Sequence, residues 1–173
     1  MIIAIIIVVL VLVILGLGAT KPNTISIHRT IEIKAVPGRI HALINDFHNW
    51  PAWAPQDKMD ATMTRTFGGA TSGLGAYSEW TSSGKAGSGR MEITESLVPT
   101  KTTVQVDFIK PFVACNIHEF TLEPFNDRTK VTWAMHGTSP FIVKLMSVFV
   151  SIDSMMGKHF EAGLRSLKAL AEL

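Results

Sequence analysis

The chain has 173 residues, of which 47% are apolar and only 17% are charged. The 16 basic and 14 acidic residues leave a formal net charge of +2, which is too small to indicate a nucleic-acid-binding surface. A single cysteine, Cys115, excludes an intramolecular disulfide framework and a cysteine zinc site.

The first segment, Ile2 to Ala19, contains 18 consecutive residues without a charged or polar side chain. As a helix that rises about 1.5 Å per residue it would extend about 27 Å, so the pattern predicts a single transmembrane anchor over residues 1–20 and a single-pass membrane protein. A cleaved secretory signal is the alternative, because Gly16 and Gly18 form a small-x-small pair, although no basic residue precedes the apolar run. By the positive-inside rule, the basic residues that follow place the rest of the chain in the cytoplasm: Lys21, Arg29, Lys34 and Arg39.

Residues 21–23 form a short polar linker, and a second pattern begins at Thr24, where residues 24–173 are predicted to form one domain. Isoleucines then alternate with polar residues, which predicts a half-buried strand containing Ile25, Ile27, Ile31 and Ile33. Pro37 opens a short helix that runs to about Asp46.

Six further segments have strand composition and are separated by short turn sequences. They are Ala61 to Phe67, Gly75 to Thr81, Gly89 to Leu97, Thr102 to Lys110, Val113 to Glu123, and Arg128 to Gly137. Short connections favour an antiparallel meander over βαβ units.

The remainder, from Ser139, is predicted to be one long helix with Ser139 as its N-cap. Its apolar stripe consists of Leu145, Phe149, Ile152, Met156, Phe160, Leu164, Leu167 and Leu170. The predicted class is α+β, in which a curved antiparallel sheet of about seven strands packs on this helix and encloses a cavity.

Several segments together resemble the helix-grip fold of the START-like (SRPBCC) superfamily, and in particular its polyketide cyclase/dehydrase-type proteins. The segments are NWPAW (Asn49 to Trp53), GLGAYSEW (Gly73 to Trp80), GRMEITES (Gly89 to Ser96), DFIKPF (Asp107 to Phe112), TKVTWAMHG (Thr129 to Gly137) and GKHFEAGLRSLK (Gly157 to Lys168). The resemblance covers about Thr24 to Leu170 and implies a pocket for lipids, polyketides or other apolar molecules. It implies no particular reaction.

Period-two alternation defines which strand residues face the helix, and the large or polar ones among them are candidate ligand-binding residues. The candidates on the strands are Trp80, Met91, Phe108, Asn116, His118, Phe120, Trp133 and Met135, and they are joined by Trp53 from the segment after the first helix and Met156 from the last helix. An ordinary packed core is the alternative interpretation of the same residues.

Among these candidates, the His118 imidazole can take the widest range of chemical roles. It is expected to orient a ligand carbonyl or to act as a general acid/base, and a buried histidine bonded to a neighbour is the alternative. A one-residue register shift would instead turn Cys115, Ile117 and Glu119 inward.

Three glycine motifs lack the further glycines that phosphate loops, dinucleotide sites and nucleophile elbows need: Gly73-Leu74-Gly75, Gly84-Lys85 and Gly87-Ser88-Gly89. The histidines show no metal-ligand spacing with a nearby carboxylate. We therefore expect neither a metal nor a cofactor, and the pattern identifies no catalytic residue.

Together these features predict a membrane-anchored domain that binds a hydrophobic small molecule, lipid or polyketide-like, in an internal cavity. The expected partners are this ligand and the membrane, contacted through the N-terminal helix, without nucleic acid. One alternative is a cyclase, dehydratase or hydrolase-type enzyme that uses the same cavity, and another is a non-catalytic, co-chaperone-like interaction module.

Overall fold

The computed structural model describes residues 2–56, 60, 62–84, 86–111 and 113–173. The helices are α1 (Ile2–Ala19), α2 (Pro37–Ile44), a 3-10 turn (Phe47–Asn49), α3 (Trp50–Trp53), α4 (Phe141–Phe149) and α5 (Ile152–Ala171). The strands are β1 (Thr24–Ile33), β2 (Thr64–Gly69), β3 (Ala76–Thr81), β4 (Ser88–Leu97), β5 (Lys101–Lys110), β6 (Ala114–Phe125) and β7 (Arg128–Thr138).

Three residues named above lie outside the described residues. Ala61 belongs to the first of the six predicted strand segments, Lys85 to a rejected glycine motif, and Phe112 to the DFIKPF segment.

The strands of the described residues form one antiparallel sheet of seven strands in the order β1-β7-β6-β5-β4-β3-β2. Each consecutive pair from β2 to β7 is joined by a short connection, and β1 pairs with the last strand, Thr24 opposite Thr138. The predicted α+β helix-grip class with an antiparallel meander is confirmed. The predicted and observed bounds differ most at β2, which was predicted for Ala61 to Phe67 and extends from Thr64 to Gly69.

One face of the sheet is buried, and it is the face that the alternation predicted. Trp80, Met91, Val104 and Phe120 on this face are almost inaccessible to solvent. Cys115 is exposed, so the alternative register for β6 is wrong and His118 points inward. Residues of α5, among them Phe160, Leu164 and Leu167, complete the core against this face.

The C-terminal segment is two helices where one long helix was predicted. At Val150 the backbone is extended, with φ −132° and ψ 132°. Ser151, and not Ser139, supplies the side-chain cap, because its Oγ accepts a hydrogen bond from the Ser154 amide at 3.2 Å. A β-branched residue followed by a good N-cap residue favours this break.

The long helix α5 is fixed to the first strand by Arg29 of β1. Its guanidinium donates to the carboxylates of Asp153 at 2.9 Å and Glu161 at 3.0 Å. Gly157 lies directly beneath the guanidinium, and a Cβ at this position would overlap it. The absence of a side chain at Gly157 therefore makes room for this ion-pair contact.

The N-terminal helix α1 lies against α4, where Gly18 faces the side chain of Leu145. Among the described residues, no helix combines the length and apolar character required to span a bilayer. The transmembrane anchor predicted for residues 1–20 is therefore wrong, as is the single-pass membrane location inferred from it.

Candidate ligand cavity

Aromatic side chains fill one end of the space between the sheet and the helices. The rings of Trp50 and Trp53 each lie 6.0 Å from the ring of Phe120 on β6. Their indole N–H groups donate to the backbone oxygens of Ile44 at 2.8 Å and Leu43 at 3.2 Å. This end is a packed core in which both indole N–H groups are bonded and the rings contact one another.

A cavity of about 320 Å³ remains at the other end, between α5 and strands β2 to β5 and β7. This volume lies at the lower end of the range for small-molecule sites, about 300–1,000 Å³. The described residues that line it are Pro55, Gln56, Asp60, Met63, Arg65, Trp80, Ala86, Met91, Phe108, Trp133, Met156, His159 and Phe160.

The inner wall of the cavity is aromatic. Trp133 and Phe160 stack face to face, with ring centroids 4.3 Å apart and an interplanar angle of 6°. Trp80 and Phe108 meet edge to face at 5.4 Å. Three methionines complete this wall, and their flexible thioethers let it adapt to the shape of a guest: Met63, Met91 and Met156.

Both indole N–H groups in this wall are bonded within the protein. Trp80 donates from Nε1 to the Ala86 carbonyl oxygen at 3.0 Å, and Trp133 donates from Nε1 to Nδ1 of His118 at 3.0 Å. The two tryptophans therefore present ring surface and no donor to a ligand.

His118 lies behind Trp133 and is 5% exposed. Burial lowers the pKa of His118 to about 4, so the imidazole is neutral near pH 7. Since Nδ1 accepts the Trp133 hydrogen bond, the ring proton must be on Nε2. A lone pair engaged in this way cannot remove a proton from a ligand, which argues against His118 as a general base.

Asp60 is the acidic group of the lining, and it serves as an acceptor for four hydrogen bonds. Oδ1 accepts from the Thr62 hydroxyl at 2.7 Å and the Thr62 amide at 3.0 Å, and Oδ2 accepts from the Ser82 hydroxyl at 2.6 Å and the Ala86 amide at 3.1 Å. The Ser82 hydroxyl, followed by Thr62 and the Ala86 amide, holds the pKa of Asp60 well below its usual range. Asp60 thus fixes the β3–β4 connection beside the cavity.

Arg65 of β2 is the cationic side chain of the lining, and it is half-buried. Its Nη1 donates to the Ser78 hydroxyl at 3.2 Å and contacts the Met91 sulfur at 3.8 Å. Ser78 is completely buried, so the guanidinium is held along the wall by the neighbouring strand.

Half of the predicted ligand-binding residues line the cavity: Trp80, Met91, Phe108, Trp133 and Met156. The other half lie outside the lining: Trp53, Asn116, His118, Phe120 and Met135. Trp53 and Phe120 belong to the filled aromatic end, and the Asn116 side chain covers Gly137 of the adjacent strand. Ligand binding by any of the ten stays a prediction.

Sequence reasoning missed the polar members of the lining: Gln56, Asp60, Arg65 and His159. Arg65 could have been found, since it alternates with exposed Thr64 and Thr66 and therefore faces the same side as the buried rows. Phe160 was on the predicted helix stripe but was not chosen as a site residue.

Comparison with solved structures shows this fold in distant proteins. The protein CV1439 from Chromobacterium violaceum has a TM-score of 0.60 and 18% identity over 88% of this chain and 99% of its own. The major latex-like protein 151 from Panax ginseng has a TM-score of 0.61 and 14% identity over 87% and 99%. The Aha1 dimer from Colwellia psychrerythraea has a TM-score of 0.60 and 16% identity over 86% and 97%. At these identities the similarity shows the fold alone.

No curated protein is similar enough in sequence to be counted as a relative. A family model does match residues 24–172, which comprise the whole sheet, α5 and the cavity between them. The match agrees with the START-like helix-grip architecture and with a cavity suited to hydrophobic ligands. The chain therefore belongs to the polyketide cyclase / dehydrase and lipid transport family.

Proposed function

We propose that this protein binds a compact apolar molecule in the cavity between β2–β5, β7 and α5. The observation that carries the proposal is the inner wall, in which four aromatic rings and three methionines surround about 320 Å³ while both indole N–H groups are already bonded. Burial of about 200 Å² of apolar ligand surface would contribute about 5 kcal/mol, which is sufficient to drive association.

The size of the cavity favours a ring-sized guest over a lipid with two long chains. If each methylene-sized group occupies about the 30 Å³ of a water molecule, 320 Å³ holds about ten such groups. A ligand of this size would lie between the Trp133–Phe160 pair and the Trp80–Phe108 pair.

The geometry supports binding better than it supports an acid–base reaction. The lone pair of His118 Nδ1 is engaged by Trp133, and both oxygens of Asp60 already accept hydrogen bonds. Neither side chain is therefore arranged to exchange a proton with a bound molecule.

The test is a fluorescence titration of the full chain with 1-naphthylamine, a neutral probe whose size is close to that of the roughly ten groups that the cavity can hold. We expect saturable binding that the substitution Met156→Trp weakens by about tenfold or more, because the larger ring fills the cavity. Met155→Trp is the matched control, since Met155 precedes Met156 on the same helix but is 43% exposed and outside the lining.

Circular dichroism of both variants establishes that they are folded. The exposed apolar surface of α1 can also take up the probe, and the difference between the two variants isolates the contribution of the cavity. Equal probe binding by Met156→Trp and Met155→Trp would contradict the proposal.

A further inference from the structure

The lining of the cavity is divided into an apolar wall and a polar side. The polar side consists of Gln56, Asp60, Arg65 and His159, and all of these except Asp60 are half-buried. A ligand whose apolar body fills the inner wall would place its polar group among these side chains. The chemistry of that group depends on which of the four side chains still has hydrogen-bonding capacity.

The two charged members of the polar side are already engaged within the protein. A carboxylate has about four lone-pair sites, and four donors occupy those of Asp60. The guanidinium of Arg65 donates to the Ser78 hydroxyl, contacts the Met91 sulfur and takes part in a further interaction. Both charged groups are therefore committed to contacts that hold the fold together.

His159 of α5 reaches the cavity from the same helix face as two apolar members of the lining. Met156, His159 and Phe160 stand at positions i, i+3 and i+4, and residues with this spacing are neighbours on one face of a helix. The Phe160 ring is stacked on Trp133 with the centroids 4.3 Å apart, so this face of α5 is fixed relative to the inner wall. The place of His159 beside the wall is therefore set by the packing of its neighbour.

The imidazole of His159 has unused hydrogen-bonding capacity. Within the described residues it takes part in no hydrogen bond, ion pair or ring contact, and the same holds for the Gln56 side chain. No fully buried side-chain nitrogen or oxygen in the described part of the chain lacks a partner, so the ring nitrogens of His159 remain accessible. His118 differs in this respect, because its Nδ1 accepts the hydrogen bond of Trp133.

Gln56 enters the polar side next to the same helix. Pro55, the preceding residue, packs on α5, where a Cβ at Gly163 would lie 3.0 Å from Cδ of Pro55. Gly163 is four residues after His159 and therefore lies one turn further along the same face. The two side chains with unused capacity thus line the cavity from the α5 side.

We infer that the ligand carries a neutral hydroxyl group, and that His159 and Gln56 bind this hydroxyl while the apolar body lies against the inner wall. This inference rests on the proposed function and specifies its ligand class: a compact, ring-containing alcohol or phenol. A hydroxyl both donates and accepts hydrogen bonds, and a carboxamide and a neutral imidazole do the same. Each partner can therefore serve the hydroxyl in either direction.

The experiment compares 2-naphthol with 2-methylnaphthalene on the full chain by isothermal titration calorimetry at neutral pH. The two probes differ in the exchange of a hydroxyl for a methyl group of similar size. The measured quantity is the change in the ratio of their dissociation constants on mutation, because the different hydration of the free probes cancels in it. His159→Leu should shift this ratio against 2-naphthol by about fivefold, which corresponds to one neutral hydrogen bond.

Two further variants assign the shift to the imidazole. His159→Gln should retain part of the preference, because its carboxamide also donates and accepts. His28→Leu is the matched control, since it makes the same replacement at an exposed position on β1 outside the lining and should leave the ratio unchanged. Circular dichroism establishes that each variant is folded.

A second measurement uses the unmodified chain with 15N-labelled histidine. The nitrogen resonances of an imidazole respond to hydrogen bonding at either ring nitrogen. 2-Naphthol should therefore shift the side-chain nitrogen resonances of one of the six histidines, whereas 2-methylnaphthalene at the same site should leave them nearly in place. The spectrum of His159→Gln, which lacks these resonances, assigns them.

Each outcome supports or overturns one statement. A ratio that is the same in His159→Leu as in the unmodified chain, or histidine resonances that respond equally to both probes, overturns the inference and leaves the proposed function standing. Failure of both probes to bind overturns the proposed function as well. The comparison of the two probes by nuclear magnetic resonance is decisive by itself should His159→Leu fail to fold.

Discussion

The indole of Trp133 donates a hydrogen bond to Nδ1 of His118 across 3.0 Å in the interior of the protein. The bond connects two adjacent strands, since His118 on β6 lies beside β7 and directly opposite Met135. It fixes the edge of a ring that forms part of the cavity wall, and at the same time fixes the tautomer of the buried imidazole.

The buried neutral state of His118 makes the stability of the protein pH-dependent. The pKa of His118 falls from 6.5 to about 4 on folding because burial disfavours the charged ring. Between these values the unfolded chain binds more protons than the folded one, so the free energy of unfolding decreases as the pH falls from about 6.5 to about 4. The expected total loss is about 3 kcal/mol.

This prediction is checked by urea unfolding at a series of pH values. In His118→Gln, whose amide oxygen can accept the Trp133 hydrogen bond, the dependence should be clearly weaker. It should not vanish, because desolvation also lowers the pKa of buried His41. A curve for His118→Gln that runs parallel to that of the unmodified protein would contradict the assignment.

The substitution Asp60→Asn should destabilise the protein although it preserves the shape of the side chain. Both carboxylate oxygens accept from donors, Thr62 at Oδ1, and Ser82 and Ala86 at Oδ2. An asparagine must turn its NH₂ group toward one of these donor pairs, which leaves donors facing donors beside the cavity. The melting temperature at neutral pH should fall more than that of Asp127→Asn, which makes the same charge change at a side chain that is 65% exposed.

The lowered pKa of Asp60 also predicts how its contribution to stability changes with pH. Hydrogen bonds hold the pKa of folded Asp60 below its ordinary value of 3.8, so its stabilisation is complete above that value and is lost as the pH falls toward the folded pKa. The unmodified protein should lose this contribution on acidification, and Asp60→Asn should have none to lose. An identical acid transition in the two proteins would show that Asp60 is not the anchor of the β3–β4 connection.

The alternation of apolar and polar residues predicted the sheet well because one face of a half-buried strand repeats every two residues. It therefore placed Trp80, Met91, Phe120 and Met135 correctly on the inner face. The same period does not show which inward residues along a strand lie at the cavity end of the sheet. Whether an inward residue lines the cavity or is packed beneath α3 depends on where the Asn49 to Trp53 segment crosses the sheet, which is a tertiary property.

The polar side of the cavity was not predictable for a related reason. Asp60 and Gln56 come from the connection between α3 and β2, which has no periodicity to analyse, and they meet Arg65 only through the fold. The N-terminal prediction rested on the apolar run of Ile2–Ala19 alone, whereas no helix among the described residues is long and apolar enough to cross a bilayer.

Gly163 of α5 is expected to be intolerant of alanine. A Cβ at this position would lie 2.8 Å from Cζ3 of Trp133 and 3.0 Å from Cδ of Pro55, and both residues line the cavity. Trp133 is stacked on Phe160 and cannot move away without breaking that contact. The cost of overpacking, about 1–3 kcal/mol, should exceed the gain in helix propensity of about 1 kcal/mol, which chemical denaturation would measure as a lower free energy of unfolding.

Gly38→Ala provides the control for this substitution. Gly38 also lies in a helix, α2, but apart from its chain neighbours and the adjacent helix backbone no atom lies within 4 Å of the Cβ that alanine would add. This variant should be unchanged or more stable by up to about 1 kcal/mol, because only the helix propensity changes. If Gly163→Ala is stabilised to the same extent, the packing of α5 on Trp133 is looser than the structure indicates.

Tryptophan fluorescence can locate a bound ligand, because the four indoles are divided between two environments. Trp80 and Trp133 line the cavity, whereas Trp50 and Trp53 are packed in the filled end with their N–H groups on backbone oxygens. A ligand between the aromatic pairs should quench the first two most strongly, because it contacts their rings, whereas Trp53 lies behind Trp133 with the ring centroids 5.9 Å apart. Trp80→Phe should therefore reduce the ligand-induced change in emission by about half, while Trp53→Phe should preserve most of it. Loss of the signal in Trp53→Phe with its retention in Trp80→Phe would place the ligand at the opposite end of the sheet.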